Sequence, residues 1–309
     1  MKCFLYILLY GKTGKDAIAI SPDLCYNILI HTYPRKELHS SMYITYQGTA
    51  AAEGVPAIFC DCEHCRYARA RGGKEVRMRS GALIDGKLKI DFGPDAYAQS
   101  LRFNQSYAAL GHVLITHSHP DHFSPDELGR IAPPDAHRKT VLHVYGDARV
   151  GEGIKPYLKE SKLVFTQLKP FETYEIDEYL VTPLKAVHAI NSGEEPLFYL
   201  IERGGRSILY AHDTDMFTDE DFDFLRGKRI DLISMDCTNG ILNHLKYIGH
   251  MGIEKNFLLR EKLLTIGAAD ENTTFVANHF SHNGLVSHEN LEKLLPGFLV
   301  SYDGMTLRV

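Results

Sequence analysis

The hydrophobic positions take on a regular rhythm at Met42. From there "MYITYQ" alternates as a strand does, with successive side chains on opposite faces. "GALIDGKLKIDF" reads as a hairpin whose halves flank an Asp-Gly-Lys turn. Strand patterns recur in "HVLITHS", "TVLHVYG", "KLVFTQL", "YLVTPLKAVHA", "LFYLIERGGRSILYAHD" with its Gly-Gly turn, "IDLISMD", "TTFVANHF" and "GFLVSYDGMTLRV". Helical spacing marks "SPDELGRIA", "DEDFDFLRG", "GIEKNFLLREKLLTIG" and "SHENLEKLL". Ser124 stands as the N-cap of the first of these, with Glu127 placed to complete a capping box. Early strands lie together as hairpins, and later ones alternate with helices. That order fits an α/β (α+β) chain of two mixed β-sheets packed face to face with helices outside, a four-layer αββα sandwich.

Residues 1–41 do not share this rhythm and end in the polar "YPRKELHS". Two regions are therefore expected: an N-terminal extension over 1–41 and a folded domain over 42–309. Met42 would approximate the ancestral start, with the preceding residues an add-on or a misassigned start. The opening "MKCFLYILLY" is too short an apolar run to span a bilayer, and no small-residue cleavage site follows it. No later stretch approaches a membrane span.

Composition is that of a globular protein, 44% hydrophobic and 24% charged over 309 residues. The net charge of -5 argues against a protein built to coat nucleic acid. Of the cysteines Cys3, Cys25, Cys60, Cys62, Cys65 and Cys237, three crowd into "FCDCEHC". They stand too close to pair with one another without strain. This reads as metal ligation in a reducing compartment. With no membrane span or signal peptide in view, the protein is expected to be soluble and cytoplasmic.

The 16 histidines cluster, most sharply in "LITHSHPDHF". A buried strand ends at Ile115, and His117, His119, Asp121 and His122 follow. Imidazoles and a carboxylate suit zinc, manganese or iron, and a loop beyond a strand end lets alternate side chains converge. His117 and His119 point the same way from extended backbone, while Asp121 and His122, past Pro120, turn to a second metal.

His-x-His-x-Asp-His after a strand resembles the signature of the metallo-β-lactamase fold. The resemblance covers about residues 42–309 and directs attention to further strand ends. His188 in "PLKAVH" matches the family's next histidine ligand, Asp213 in "LYAHDT" the carboxylate bridging two metals, and His279 in "VANHF" the last ligand. The resemblance implies that one metal takes His117, His119 and His188. It gives the other to Asp121, His122 and His279, with Asp213 between them. His212 and Asp215, which flank the bridging position, are assigned supporting or structural roles. Two divalent metals about 3.5–4 Å apart share a water and make a bridging hydroxide near neutral pH. Counted formally, such a centre carries roughly +1 and attracts an anionic phosphodiester. A histidine at 119, where oxygen-reducing di-iron relatives have glutamate, favours hydrolysis.

The segment "GTAAAEGVPAIFCDCEHC" resembles a narrower branch, that of the phosphoribosyl cyclic phosphodiesterase of the carbon–phosphorus lyase pathway. There a Cys-x-Cys-x-x-Cys loop holds a structural zinc, with a fourth ligand three residues after the last active-site histidine. "HFSHNG" supplies His282 at that place. The implied site is Cys60, Cys62, Cys65 and His282, a closed Cys₃His tetrahedron. His64 and Cys237 are the rivals for its fourth position. Arg66, Arg69 and Arg71 stand close by and would offset its negative charge. The alanines of "GTAAAEG" replace glycines that relatives often have, so the loop near the site is expected to differ in shape.

His250 in "YIGHMGIEKN" resembles the family histidine that faces the substrate phosphate. It precedes an amphipathic helix whose N-terminus favours an anion, and is the expected proton donor. Asp236 and Asn239 are nearby candidates for support. Asp121 and His250 are the expected catalytic residues. The expected cofactors are two divalent active-site metals, zinc or manganese, and one structural zinc. The expected partner is a small cyclic or nucleotide-like phosphodiester, with neither membrane nor nucleic acid, and a homodimer is compatible with the sequence. A transfer-RNA 3′-end nuclease and a lactonase or thioesterase of the same fold are the rival activities. A non-catalytic binding protein would have lost ligands that are present here.

Overall fold

Single strands of this protein serve two cores at once. In Leu197–Arg203, Phe198 and Leu200 face one cluster of apolar side chains, while Leu197, Tyr199 and Ile201 face another. This period-two division follows from the pleat and forces the layers. The computed structural model describes residues 41–309 except 132–134, 139, 160–161, 189–193 and 243–248. The expected extension, with Cys3 and Cys25, lies outside the described residues apart from Ser41. Met42–Val309 forms one compact unit.

One sheet joins β1 (Tyr43–Gly48), β2 (Gly81–Ile84), β3 (Leu88–Ile90), β4 (His112–Leu114), β5 (Leu142–Gly146), β6 (Leu163–Gln167) and β14 (Thr306–Arg308) in the order β14-β1-β2-β3-β4-β5-β6. The other joins β7 (Tyr174–Ile176), β8 (Tyr179–Lys185), β9 (Leu197–Arg203), β10 (Arg206–Ala211), β11 (Leu232–Asp236), β12 (Thr274–Asn278) and β13 (Leu299–Val300) in the order β13-β12-β11-β10-β9-β8-β7. Both sheets are mixed: β3 to β6 run parallel, as do β10 to β13, and hairpins complete each sheet. The β2–β3 turn uses Asp85 and Gly86, both at positive φ as a primed hairpin turn requires. Gly204 and Gly205 do the same between β9 and β10.

Ile44, Ile84, Leu114, Tyr199 and Tyr210 fill the space between the sheets. Outside the second sheet, α5 (Asp219–Leu225), α6 (Ile253–Thr265) and α7 (His288–Leu294) bury Phe222, Leu259, Leu263 and Leu291 against Phe198 and Ile233. Outside the first, α3 (Pro125–Gly129) and α4 (Ala148–Ile154) bury Leu128, Val150 and Ile154 against Val113 and Val144. The four-layer αββα sandwich is thus observed. Helices α1 (Glu63–Arg71), α2 (Ala96–Arg102) and α4, and strand β7, are additions to the sequence reading.

Two local expectations are corrected. Strand β4 stops at Leu114, one residue before Ile115. Ser124 precedes α3 but its side chain makes no capping hydrogen bond; its N–H is committed to the Phe92 carbonyl at 2.8 Å, which fixes the entry to the helix instead. The capping box occurs at α5, where Thr218 and Asp221 satisfy each other's backbone N–H groups.

Candidate metal centre

The candidate ligands sit at or just beyond the ends of strands from both sheets. His117 and His119 follow β4, His188 follows β8, Asp213 follows β10, Asp236 ends β11 and His279 follows β12. His117, His119 and His188 form one group whose ligand atoms lie within 4.8 Å of one another. Asp121, His122, Asp213 and His279 form a second group by the same measure. All seven residues that the family pattern singled out are therefore gathered into two adjoining clusters.

Asp213 stands between them. Its Oδ2 lies 2.5 Å from His122 Nε2 and 3.2 Å from His279 Nε2, while its Oδ1 faces His188 Nε2 at 4.0 Å. Both Asp213 and His279 take positive φ, 49° and 61°, a conformation non-glycine residues seldom adopt. Such strain concentrates where a side chain must be aimed at one point.

Each imidazole is oriented from behind. Asp91 Oδ2 takes His122 Nδ1 at 2.7 Å, Thr116 Oγ1 meets His117 Nδ1 at 3.0 Å, the Gly249 carbonyl meets His188 Nδ1 at 3.0 Å, and Thr238 Oγ1 meets His279 Nδ1 at 2.8 Å. In these four rings Nε2 is thereby turned to the centre. His119 differs, offering Nδ1 at 3.2 Å from His188 Nε2.

The fit to a metal rests on what these atoms lack. His117 Nε2 is buried without a hydrogen-bond partner, while His122 Nε2 and His279 Nε2 face Asp213 Oδ2 at 2.5 and 3.2 Å, all three buried, without a well-directed hydrogen bond. Orphaned polar atoms in a dry interior are costly, and four that converge suit a cation. Burial holds the His117 imidazole well below its ordinary value, which keeps the ring a neutral donor. Burial alone would push the Asp213 carboxyl up, yet the His279 and His122 rings outweigh it and keep it ionised. The donor set, five imidazoles and two carboxylates, suits divalent zinc or manganese.

His250 lies at the open side of this centre. Its Nδ1 is 3.0 Å from Asp236 Oδ2 and 3.4 Å from Asp213 Oδ1. Burial opposes its charge, but Asp236 and then Asp213 override that and raise it to about 9. Asp236 is fully buried and also accepts the N–H groups of Asp213, Thr238 and Met251, so it anchors three loops at once. Asn239 Nδ2 donates to the His250 carbonyl at 3.1 Å. His212 and Asp215 point elsewhere. His212 Nε2 meets Ser234 Oγ at 2.8 Å, and Asp215 pairs with Lys255 at 2.5 Å.

A separate cluster brings Cys60, Cys62, Cys65 and His282 within 4.8 Å. His282 Nδ1 lies 3.5 Å from Cys60 Sγ and 3.6 Å from Cys62 Sγ. Burial raises the Cys65 thiol to about 11, with the neighbouring thiols adding to the effect. Burial also acts upward on Cys62, but the Cys65 N–H and the His282 ring bring it down to about 6. Three thiols this close ionise together only around a cation. Neither rival joins the cluster: Cys237 is fully buried in the apolar core behind β11, and His64 stands outside the group. Of the arginines, Arg66 pairs with exposed Asp61 and Arg69 donates to the Ala57 carbonyl.

Sequence reasoning missed Asp91 and Glu53. Asp91 carried a usable signal, a carboxylate at the end of β3 in "KIDF". Glu53 carried none.

Residues 87–303 match the model of the β-lactamase superfamily domain, and the chain belongs to that family, whose metallo-β-lactamase fold binds divalent metal. Octanoyltransferase of Porphyromonas gingivalis is 28% identical over 275 residues, covering 84% of this chain and 50% of that protein. The chain thus spans about half the length of the curated relative it matches. Among solved structures, a diphosphatase of the PhnP family superposes with a TM-score of 0.70 at 23% identity, covering 87% of this chain and 97% of that one. Zinc-bound PqqB of Methylobacterium extorquens gives 0.66 at 18% identity, covering 86% and 99%. The short form of human tRNase Z gives 0.58 at 15%, covering 86% and 98%. These likenesses establish the metallo-hydrolase fold. Among the described residues no helix is long and apolar enough to cross a membrane.

Proposed function

We propose that this chain is a cytoplasmic hydrolase with a dinuclear metal centre that cleaves a small cyclic or nucleotide-like phosphodiester. In this reading His117, His119 and His188 hold one zinc or manganese ion. Asp121, His122 and His279 hold the other, and Asp213 is shared. Cys60, Cys62, Cys65 and His282 hold a structural zinc, and these bunched thiols support a reducing compartment. The observation that carries the reading is Asp213, whose two carboxylate oxygens face the two histidine groups separately.

When bound, the metal pair supplies adjacent positive charge that acidifies water and neutralises phosphoryl oxygens. The remaining work falls to the chain. Asp91, Thr116, Thr238 and the Gly249 carbonyl fix the ring orientations. Asp236 holds His250 protonated beside the cavity, where it donates its proton to the leaving oxygen. The cavity, about 690 Å³, is lined by His119, Asp121, His250, Asn239, Ser281 and Asn283 among others. Its described lining contains no lysine or arginine, so the anionic charge must be met by the metals and His250. That favours a small substrate over a polyanion.

A second reading, hydrolysis of an acyl ester or thioester, draws on two facts. The Porphyromonas gingivalis relative is named for octanoyl transfer, and Ala51, Ala52, Leu242 and Leu285 give the cavity an apolar wall. One experiment separates the two. The manganese- or zinc-loaded chain is offered an aryl phosphodiester, a ribose cyclic phosphate, a lactone and an octanoyl thioester, with Asp121→Ala as control. Diester turnover that disappears in the variant is the expected result. Turnover of the lactone or thioester alone overturns the substrate class.

A further inference from the structure

The two clusters are joined by one short stretch of backbone pairing. Ala51 N–H donates to the Phe280 carbonyl at 3.0 Å, and Phe280 N–H to the Thr49 carbonyl at 2.8 Å. Just past that pairing, Glu53 reaches across the gap. Its Oε1 accepts from Ser281 Oγ and from Asn283 Nδ2, the latter at 3.3 Å, and lies 3.5 Å from His282 Nε2. The opposite ring nitrogen of His282 faces the sulfurs of Cys60 and Cys62. Glu53, Ser281 and Asn283 meanwhile line the same cavity as His119, His250 and His279.

We infer that Glu53 is a positioning residue that ties the thiolate site to the wall of the catalytic cavity. Its carboxylate holds His282 with the proton on Nε2, which leaves Nδ1 as the ligand atom. Through Ser281 and Asn283 it also sets the cavity wall beside His279. A solvated surface glutamate would not gather three partners from one loop on a single oxygen. Only 29% of this side chain is exposed, although it sits in a turn. A histidine ligand to a metal ordinarily gives its second N–H to such a carboxylate, and removing the carboxylate costs about 10–100-fold in metal affinity. The inference rests on the ligand sets proposed above.

Cobalt(II) tests it without recourse to activity, because cobalt bound by thiolates shows a sulfur-to-metal charge-transfer band. The full chain, its dinuclear centre loaded with manganese, is titrated with cobalt against a competing chelator. Glu53→Ala is expected to weaken cobalt at the thiolate site by about 10–100-fold and to raise KM with little change in kcat. Glu53→Gln keeps an acceptor oxygen and is expected to stay within about threefold of the parent. Glu53→Asp keeps the charge but falls one methylene short, so it serves the same comparison if Glu53→Ala does not fold. Parental cobalt affinity in the alanine and aspartate variants overturns the role of Glu53. A parent that shows no thiolate band overturns instead the ligand set on which the inference rests.

Discussion

Replacing Lys89 by methionine is expected to stabilise the fold by about 3 kcal/mol at neutral pH. Lys89 lies on β3 and is fully buried. Its Nζ has two distant acceptors, the Ile90 carbonyl and Gln99 Oε1, both at 3.4 Å. Gly81 packs so closely over it that an added Cβ would sit 2.7 Å from Nζ, which leaves little room for a solvating water. Burial pushes this ammonium down from 10.5 to about 7, against the attraction of Asp91. The folded value lies below the unfolded one, so between those two pH values the unfolded chain binds more protons. Stability therefore rises with pH across that window, at about 1.4 kcal/mol per unit.

The full cost, about 5 kcal/mol, is present below the folded value and vanishes above the unfolded one. Half-titration at neutral pH removes a few tenths, and stranding Gln99 Oε1 in the variant subtracts about 1 kcal/mol more. Methionine fills a similar apolar volume with no ammonium to desolvate. The assay is urea unfolding of the metal-loaded chain, parent against variant, at steps from about pH 7 to 9.5. The difference between the two curves should shrink steadily as pH rises. Parallel curves, or a parent more stable than the variant at neutral pH, would refute the desolvation argument.

Two further perturbations probe other parts of the structure. Thr218→Ala removes the capping box of α5, where Thr218 Oγ1 receives the Asp221 N–H at 3.2 Å, and should cost about 1 kcal/mol in urea unfolding; an unchanged midpoint would mean that packing of Phe222 and Leu225 alone holds the helix. Exhaustive chelation should lower the thermal midpoint, since a metal at a thousand times its Kd contributes about 4 kcal/mol. Added zinc or manganese should restore it, and a midpoint indifferent to measured metal loss would show that the orphaned ring nitrogens do not bind it.

How much of this was legible in the sequence depended on whether a residue's signal was local. The period-two strands marked both sheets because each strand buries two faces, as Phe198 and Tyr199 do on opposite sides of β9. The His-x-His-x-Asp-His loop was legible because its residues are neighbours in the chain as well as in space. Helices α1, α2 and α4 were not. They are short, α1 exposes most of its residues, and α4 carries two glycines, so none shows a clear apolar stripe. The capping error at Ser124 has a related cause. The motif matched in sequence, but a tertiary pairing with Phe92 had already claimed the backbone that the cap would have arranged.

The residues that hold the site in place were the least legible, and for a physical reason. Ligands must converge on a point, and the family pattern records which strand ends supply them. A carboxylate behind a ligand is placed only by the packing of two segments. Asp91 reaches His122 across 31 residues and Glu53 reaches His282 across 229, with no spacing rule linking either pair. Asp236 was visible as a strand-end aspartate, yet nothing in "ISMDCTNG" shows that it gathers the backbone of Asp213, Thr238 and Met251 together with the His250 ring. Such residues have a common mark in the fold. They are buried or half-buried carboxylates, and each stands directly behind a histidine from another segment of the chain. Where that histidine is a proposed ligand, as His122 and His282 are, the carboxylate orients the ring and strengthens it as a donor, which supports the metal reading from residues outside the ligand motif.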